Sequence, residues 1–184
     1  MREHKTEKMP AQPWRVPVAV EDIPESGQSF SLAADAEVRA ALARVTGLRD
    51  LPWLQADFDV ARHGSGGLRV TGRVTAAIGQ NCVVTLEPLE NAIGEEVNLL
   101  FVAELAEGTE ATDGAGRTQT DSDQPEPLIG GIIDLGAIAT EFLILGIDPY
   151  PRKPGAVFEP PQELRPDGGP FAALAGWTKG RADG

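Results

Sequence analysis

Few side chains in this chain could carry covalent or metal chemistry. There is one cysteine, Cys82, in the run QNCVVTLEPLE, and two histidines, His4 and His63. A structural zinc site needs about four ligands of this kind, and this set falls short. A dithiol pair needs a second thiol, but three positions after Cys82 the chain has Thr85. A Cys–His nucleophile would need His63 beside Cys82. The turn cluster His63-Gly-Ser-Gly-Gly67 lies at one end of a strand and Cys82 near the other, about a strand length away, ~17–20 Å. Cys82 is therefore expected to be an unreactive core residue, sharing one side of a returning strand with Val84 and Leu86.

Carboxylates offer a second chemistry. General acid catalysis needs one carboxyl whose pKa is raised, usually by burial. Glu87, Glu90, Glu95 and Glu96 flank Pro88 and Gly94 in what reads as a hairpin connection, where solvation is expected. Glu141 interrupts an apolar helix and must reach solvent or a donor, so it is a candidate binding residue. The Gly-rich run at 64–67 joins two strands and opens no helix, which excludes a phosphate loop. Residues 39–73 carry six Arg against Asp50, Asp57 and Asp59. Arg39 and Arg44 should project from a helix, Arg69 and Arg73 from an outer strand face, and these four are candidate RNA-facing residues. No aromatic is expected on that outer face to stack with bases.

The elements that must position these groups follow from periodicity. Trp14, Val16, Val18 and Val20 alternate, and Pro17 marks an edge strand. Phe30 and Leu32 indicate another extended piece. Asp35 is placed to cap a helix near 35–46 with Val38, Ala41, Leu42 and Val45 on its apolar stripe, ended by Gly47. From Leu54 the period is two: Leu54–Val60, Leu68–Ile78, a Gly79–Asn81 hairpin loop, Cys82–Leu86 and Val97–Ala103. A second helix near 134–146 starts at Asp134 and is apolar nearly all round, which predicts packing on both sides. The expected class is α+β, an antiparallel meander of four to six strands with two main helices.

One domain is expected over 13–150, with a flexible stretch at 1–12. Residues 107–127, EGTEATDGAGRTQTDSDQPEP, carry six acids and no large apolar side chain, the composition of a disordered acidic loop. Residues 151–184 read as a proline-rich tail in which Phe171, Leu174 and Trp177 are spaced like one helical turn, a candidate docking segment. No apolar run reaches the roughly 18 residues of a membrane span. A single cysteine fits a reducing cytoplasm.

The net charge of −12 is unevenly spread. Residues 74–149 hold 14 acids against Arg117 alone, whereas residues 39–73 are net basic. The acidic part should repel RNA and attract basic proteins.

Three stretches carry a family likeness. GRVTAAIGQNCVVTLEPLE resembles the "V-x-G-x-V … C-x-R-C-L-E-P" strand and turn of the YceD family, the large-ribosomal-RNA-accumulation proteins. IDLGAIATEFLILGIDPYP is similar to that family's "hydrophobic-D-L … E-x-x-L-x-L-P-x-x-P" helix and exit, and GPFAALAGW to its "N-P-F-A-x-L" tail element. Where many members have a Cys-x-x-Cys pair with an intervening Arg, this chain has Cys82, Val84 and Thr85, so no metal or disulfide can use that motif here. The resemblance implies participation in accumulation of large-subunit ribosomal RNA, in assembly or processing. The lack of a reactive centre makes the expected factor non-catalytic, and the uneven charge makes its expected partners the rRNA precursor, a basic ribosomal protein, or both, with no cofactor, membrane or small-molecule substrate. The rival readings are a general acidic protein-binding module and an enzyme acting on rRNA.

Overall fold

The computed structural model describes residues 12–64, 66–103 and 125–158. In chain order the elements are β1 (Pro17–Ala19), β2 (Gln28–Ala33), α1 (Ala36–Thr46), β3 (Asp50–His63), β4 (Gly67–Asn81), β5 (Pro88–Ala103), β6 (Glu126–Leu128), β7 (Ile132–Asp134) and α2 (Leu135–Leu145). Strands β2-β3-β4-β5-β6 form one sheet in that order, and β1 pairs with β7 in a second, two-stranded ribbon. All pairings in the main sheet are antiparallel except β5–β6. The class is α+β, as the periodicity predicts.

The period of two builds a one-sided sheet. Leu54, Ala56, Phe58 and Val60 on β3, and Leu68, Val70, Val74, Ala76 and Ile78 on β4, are buried. Ile93, Val97 and Phe101 continue the same layer on β5. Removing each such large side chain from water contributes about 1.5–3 kcal/mol, and α1 and α2 join the same apolar cluster. The alternate residues, among them Asp57, Asp59, Arg69, Arg73 and Glu96, are exposed. Position 72 breaks the inward row because a Cβ there would overlap the Asp57 carbonyl oxygen. Glycine lets β3 and β4 approach.

Caps fix both helices. Asp35 accepts from Val38 N at 2.8 Å, and Gly47 closes α1 with φ of 71°. Asp134 accepts from Gly136 N and Ala137 N at 3.1 Å each, and from Val16 N at 2.8 Å. One carboxylate thus starts α2 and ties down the strap that leads into β1. At the other end, buried Gln80 donates to the Asp148 carbonyl at 2.8 Å and accepts from Asn91 at 2.9 Å. This stitches the exit of α2 onto the sheet.

Several expectations are corrected. The hairpin loop is Cys82–Glu87, because β4 and β5 stay paired as far as Asn81 and Pro88. Glu90, Glu95 and Glu96 accordingly lie on a strand. Leu86, expected inside, takes φ of 61° in that turn and is 77% exposed. Val45, expected on the apolar stripe of α1, is exposed, since the stripe turns away as the helix nears Gly47. Trp53 is exposed on the same side of β3 as Asp57, so the open face does carry an aromatic. The end of the acidic segment, expected to be a disordered loop, forms a strand, where Glu126 and Pro127 pair with Phe101 and Val102; residues 107–124 lie outside the described residues. Finally, α2 is buried on one side only. Leu135, Ile138, Ala139 and Leu143 face the sheet, whereas Ile144 and Leu145 are exposed. Among the described residues no helix is long and apolar enough to cross a membrane.

Candidate functional site

Cys82 opens the turn between β4 and β5. Its carbonyl accepts from Leu86 N and its own N–H donates to the Glu87 carbonyl, both at 2.9 Å. The folded-back turn aims the Val84 and Thr85 N–H groups at Sγ, each at 3.4 Å. A third N–H, from Lys153, reaches the same sulfur at 3.4 Å. The loop after α2 is held there by Val83 N donating to the Pro151 carbonyl and by Lys153 Nζ on Glu87 at 3.0 Å.

The thiol is buried, but it lies outside the main apolar cluster. Besides the expected burial, three N–H donors surround it. The Lys153 N–H, then the Thr85 hydroxyl and N–H, lower its pKa to about 6 against the opposing effect of burial. Lys153 also holds Glu87 below the usual carboxylate range, with help from Thr85. His63 ends β3 opposite Gly67, at the far end of the fifteen-residue β4 from Cys82, roughly 45 Å away along the strand, so no Cys–His pair forms. Among the described residues no cluster of three or more His, Cys, Asp or Glu could hold a metal ion.

The remaining carboxylates are also accounted for. Glu96 pairs with Arg73 at 3.3 Å, and Glu90 approaches Arg49 at 4.0 Å. Glu95 packs beside Gly146 at the end of α2. None of these forms a close pair poised for acid–base work.

The six arginines divide into groups. Arg69 donates to Asn98 at 3.0 Å and Arg73 pairs with Glu96, so the two candidates on the open face are matched by neighbours on β5. Arg62 donates to the Ile23 carbonyl at 2.6 Å and fastens the segment before β2. Arg39, Arg44 and Arg49 line one shallow depression of about 440 Å³ between α1 and the start of β3. Arg39 leans back to the Ala34 carbonyl at 2.6 Å, Arg49 pairs with Asp50 at 2.8 Å, and Arg44 is exposed. Three arginines and one carboxylate, Asp50, line the depression, with Glu90 4.0 Å from Arg49; the balance is basic, a concave surface suited to phosphate oxygens. Arg49 was not among the candidates. Its signal in the sequence is its place two residues beyond the Gly47 cap, where the chain doubles back beside α1.

Glu141 is exposed on the edge of α2 and shares a groove with Glu126, Ile129, Ile132 and Ile144. Burial, and secondarily the charge of Glu141, raise the pKa of Glu126. Phe171, Leu174 and Trp177 lie outside the described residues.

The turn that buries Cys82, the Asp134 cap and the exit through Pro151 are the structural counterparts of the family-like stretches. Residues 70–170 match the family model described as large ribosomal RNA subunit accumulation protein YceD. The chain belongs to the YceD family. No curated protein and no solved structure matches it. In this YceD member, Thr85 and Lys153 both donate hydrogen bonds to the Cys82 sulfur. The family name gives the role in coarse terms, accumulation of the large-subunit ribosomal RNA.

Proposed function

We propose that this YceD protein is a non-catalytic cytoplasmic binding factor that promotes assembly or processing of large-subunit rRNA. Its arginine depression meets the RNA backbone, and its acidic remainder meets a basic ribosomal protein. The observation that carries the reading is the convergence of Arg39, Arg44 and Arg49 on one concave surface, in a chain whose residues 74–149 carry 14 acidic groups against Arg117 alone. Counter-ion release from a few phosphates gives a short-range, salt-sensitive grip on RNA. The surrounding negative field restricts that grip to one patch.

The test is binding of purified protein to large-subunit rRNA fragments across a salt series. Arg44→Ala combined with Arg49→Ala is expected to weaken binding several-fold at ~0.1 M salt and to flatten the salt slope by about two. Depletion in cells is expected to lower large-subunit rRNA and its sedimentation peak. Unchanged rRNA levels would favour an acidic module unconnected with ribosomes. Trimming of precursor rRNA by the pure protein would reinstate an enzyme.

A further inference from the structure

The exposed side of α2 is apolar where a solvent-facing helix should be polar. Ile144 is 48% exposed and Leu145 68%, and beside them Ile129 and Ile132 of the β6–β7 segment are 81% and 53% exposed. Together they edge a groove of about 470 Å³ that reaches in to Phe101 and Ile138. Contiguous exposed apolar surface of this kind, rimmed by polar groups, marks a contact site.

The rim here has one sign. Glu126 and Glu141 both line the groove and repel each other. Neither takes part in an ion pair among the described residues. A cation placed between them would relieve that repulsion, and apolar neighbours of that cation would cover the isoleucines. A second copy of the chain would bring two more carboxylates and a further net charge of −12. The chain's own residues 159–184 offer three basic groups against four acidic ones, a poor complement.

We infer that the groove between α2 and the β6–β7 segment is the docking site for a Lys- or Arg-bearing amphipathic segment of a ribosomal protein. The isoleucines take its apolar side, and Glu126 and Glu141 take its cation. This rests on the proposed function and assigns the acidic side of that reading to a specific surface. The mode is that of an amphipathic segment in a groove, with apolar contacts giving affinity and charge giving orientation.

The test uses the full chain with a photo-crosslinking amino acid in place of Ile144, mixed with proteins extracted from the large ribosomal subunit. Crosslinked peptides are sequenced by mass. The expected result is a crosslink to a Lys/Arg-rich segment of one ribosomal protein. Glu126→Lys with Glu141→Lys should weaken the binding on the order of tenfold at ~0.1 M salt, as should Ile144→Asp, with melting temperatures close to wild type. A crosslink to residues 159–184, or to a second copy, overturns the inference. So does retention of a ribosomal protein that neither variant disturbs, an outcome that leaves the proposed function standing. If the wild-type chain retains no ribosomal protein at all, both fail.

Discussion

Three N–H groups converging on one sulfur make Cys82 an anion-stabilising position shielded from solvent. Its folded pKa of about 6 lies below its ordinary value, so ionisation favours the folded state. That contribution is complete above the unfolded thiol pKa, near 9, and is lost as pH falls through about 6. The stability difference between wild type and Cys82→Ala should therefore widen from pH 6 to pH 9 in denaturant titrations. A difference that stays constant with pH would mean the donors do not hold a thiolate. Glu126 works in the opposite direction. Its raised pKa means the charged form opposes folding, with stability present below the unfolded value and lost as pH rises through the folded one. Cys82 being the only thiol was legible in the sequence. Its donors were not, because Lys153 lies 71 residues away and is brought over the turn only by the exit of α2.

Asp134 shows what one residue does for an element. It caps α2 and also holds Val16 N, while the first turn of the helix presses on the strap through Gly136. A Cβ at 136 would stand 2.8 Å from the Trp14 carbonyl carbon and oxygen. Asp134→Ala should destabilise the protein by about 1–2 kcal/mol through the lost cap alone. Gly136→Ala should cost about 1–3 kcal/mol by overpacking, and both are read from urea midpoints. An unchanged midpoint for Gly136→Ala would mean the strap yields freely. The capped starts of both helices and the period of two in β3 and β4 were legible, since each depends on neighbours within a few residues. The position of the β4–β5 turn was not. Gly79, Pro88 and Gly94 look like loop residues locally, yet the ladder between β4 and β5 overrides them. The Asp50 carboxylate lies against Gly79, and any Cβ there would have to displace it.

For the molecule as a whole, −12 on 184 residues is a self-repelling charge that compaction brings closer together. Salt shortens the Debye length to ~10 Å at 0.1 M, so raising NaCl from 0.02 to ~0.5 M should increase the melting temperature by a few degrees. A fall would mean that surface pairs such as Lys153–Glu87 and Arg73–Glu96 outweigh the repulsion.

Read along the chain alone, the residues already set the class of fold, the two capped helices, the shortage of Cys and His ligands and the uneven charge. Each of these follows from local periodicity or from counting. Which groups stand together came from the fold: the gathering of Arg39 and Arg44 with Arg49, the separation of Arg69 and Arg73 from them, and the meeting of Glu126 with Glu141 beside the exposed Ile144 and Leu145 of α2. The physical reason is that the period of a strand or helix fixes the side a residue faces. Which partner meets it there depends on register and on packing between segments far apart in the chain.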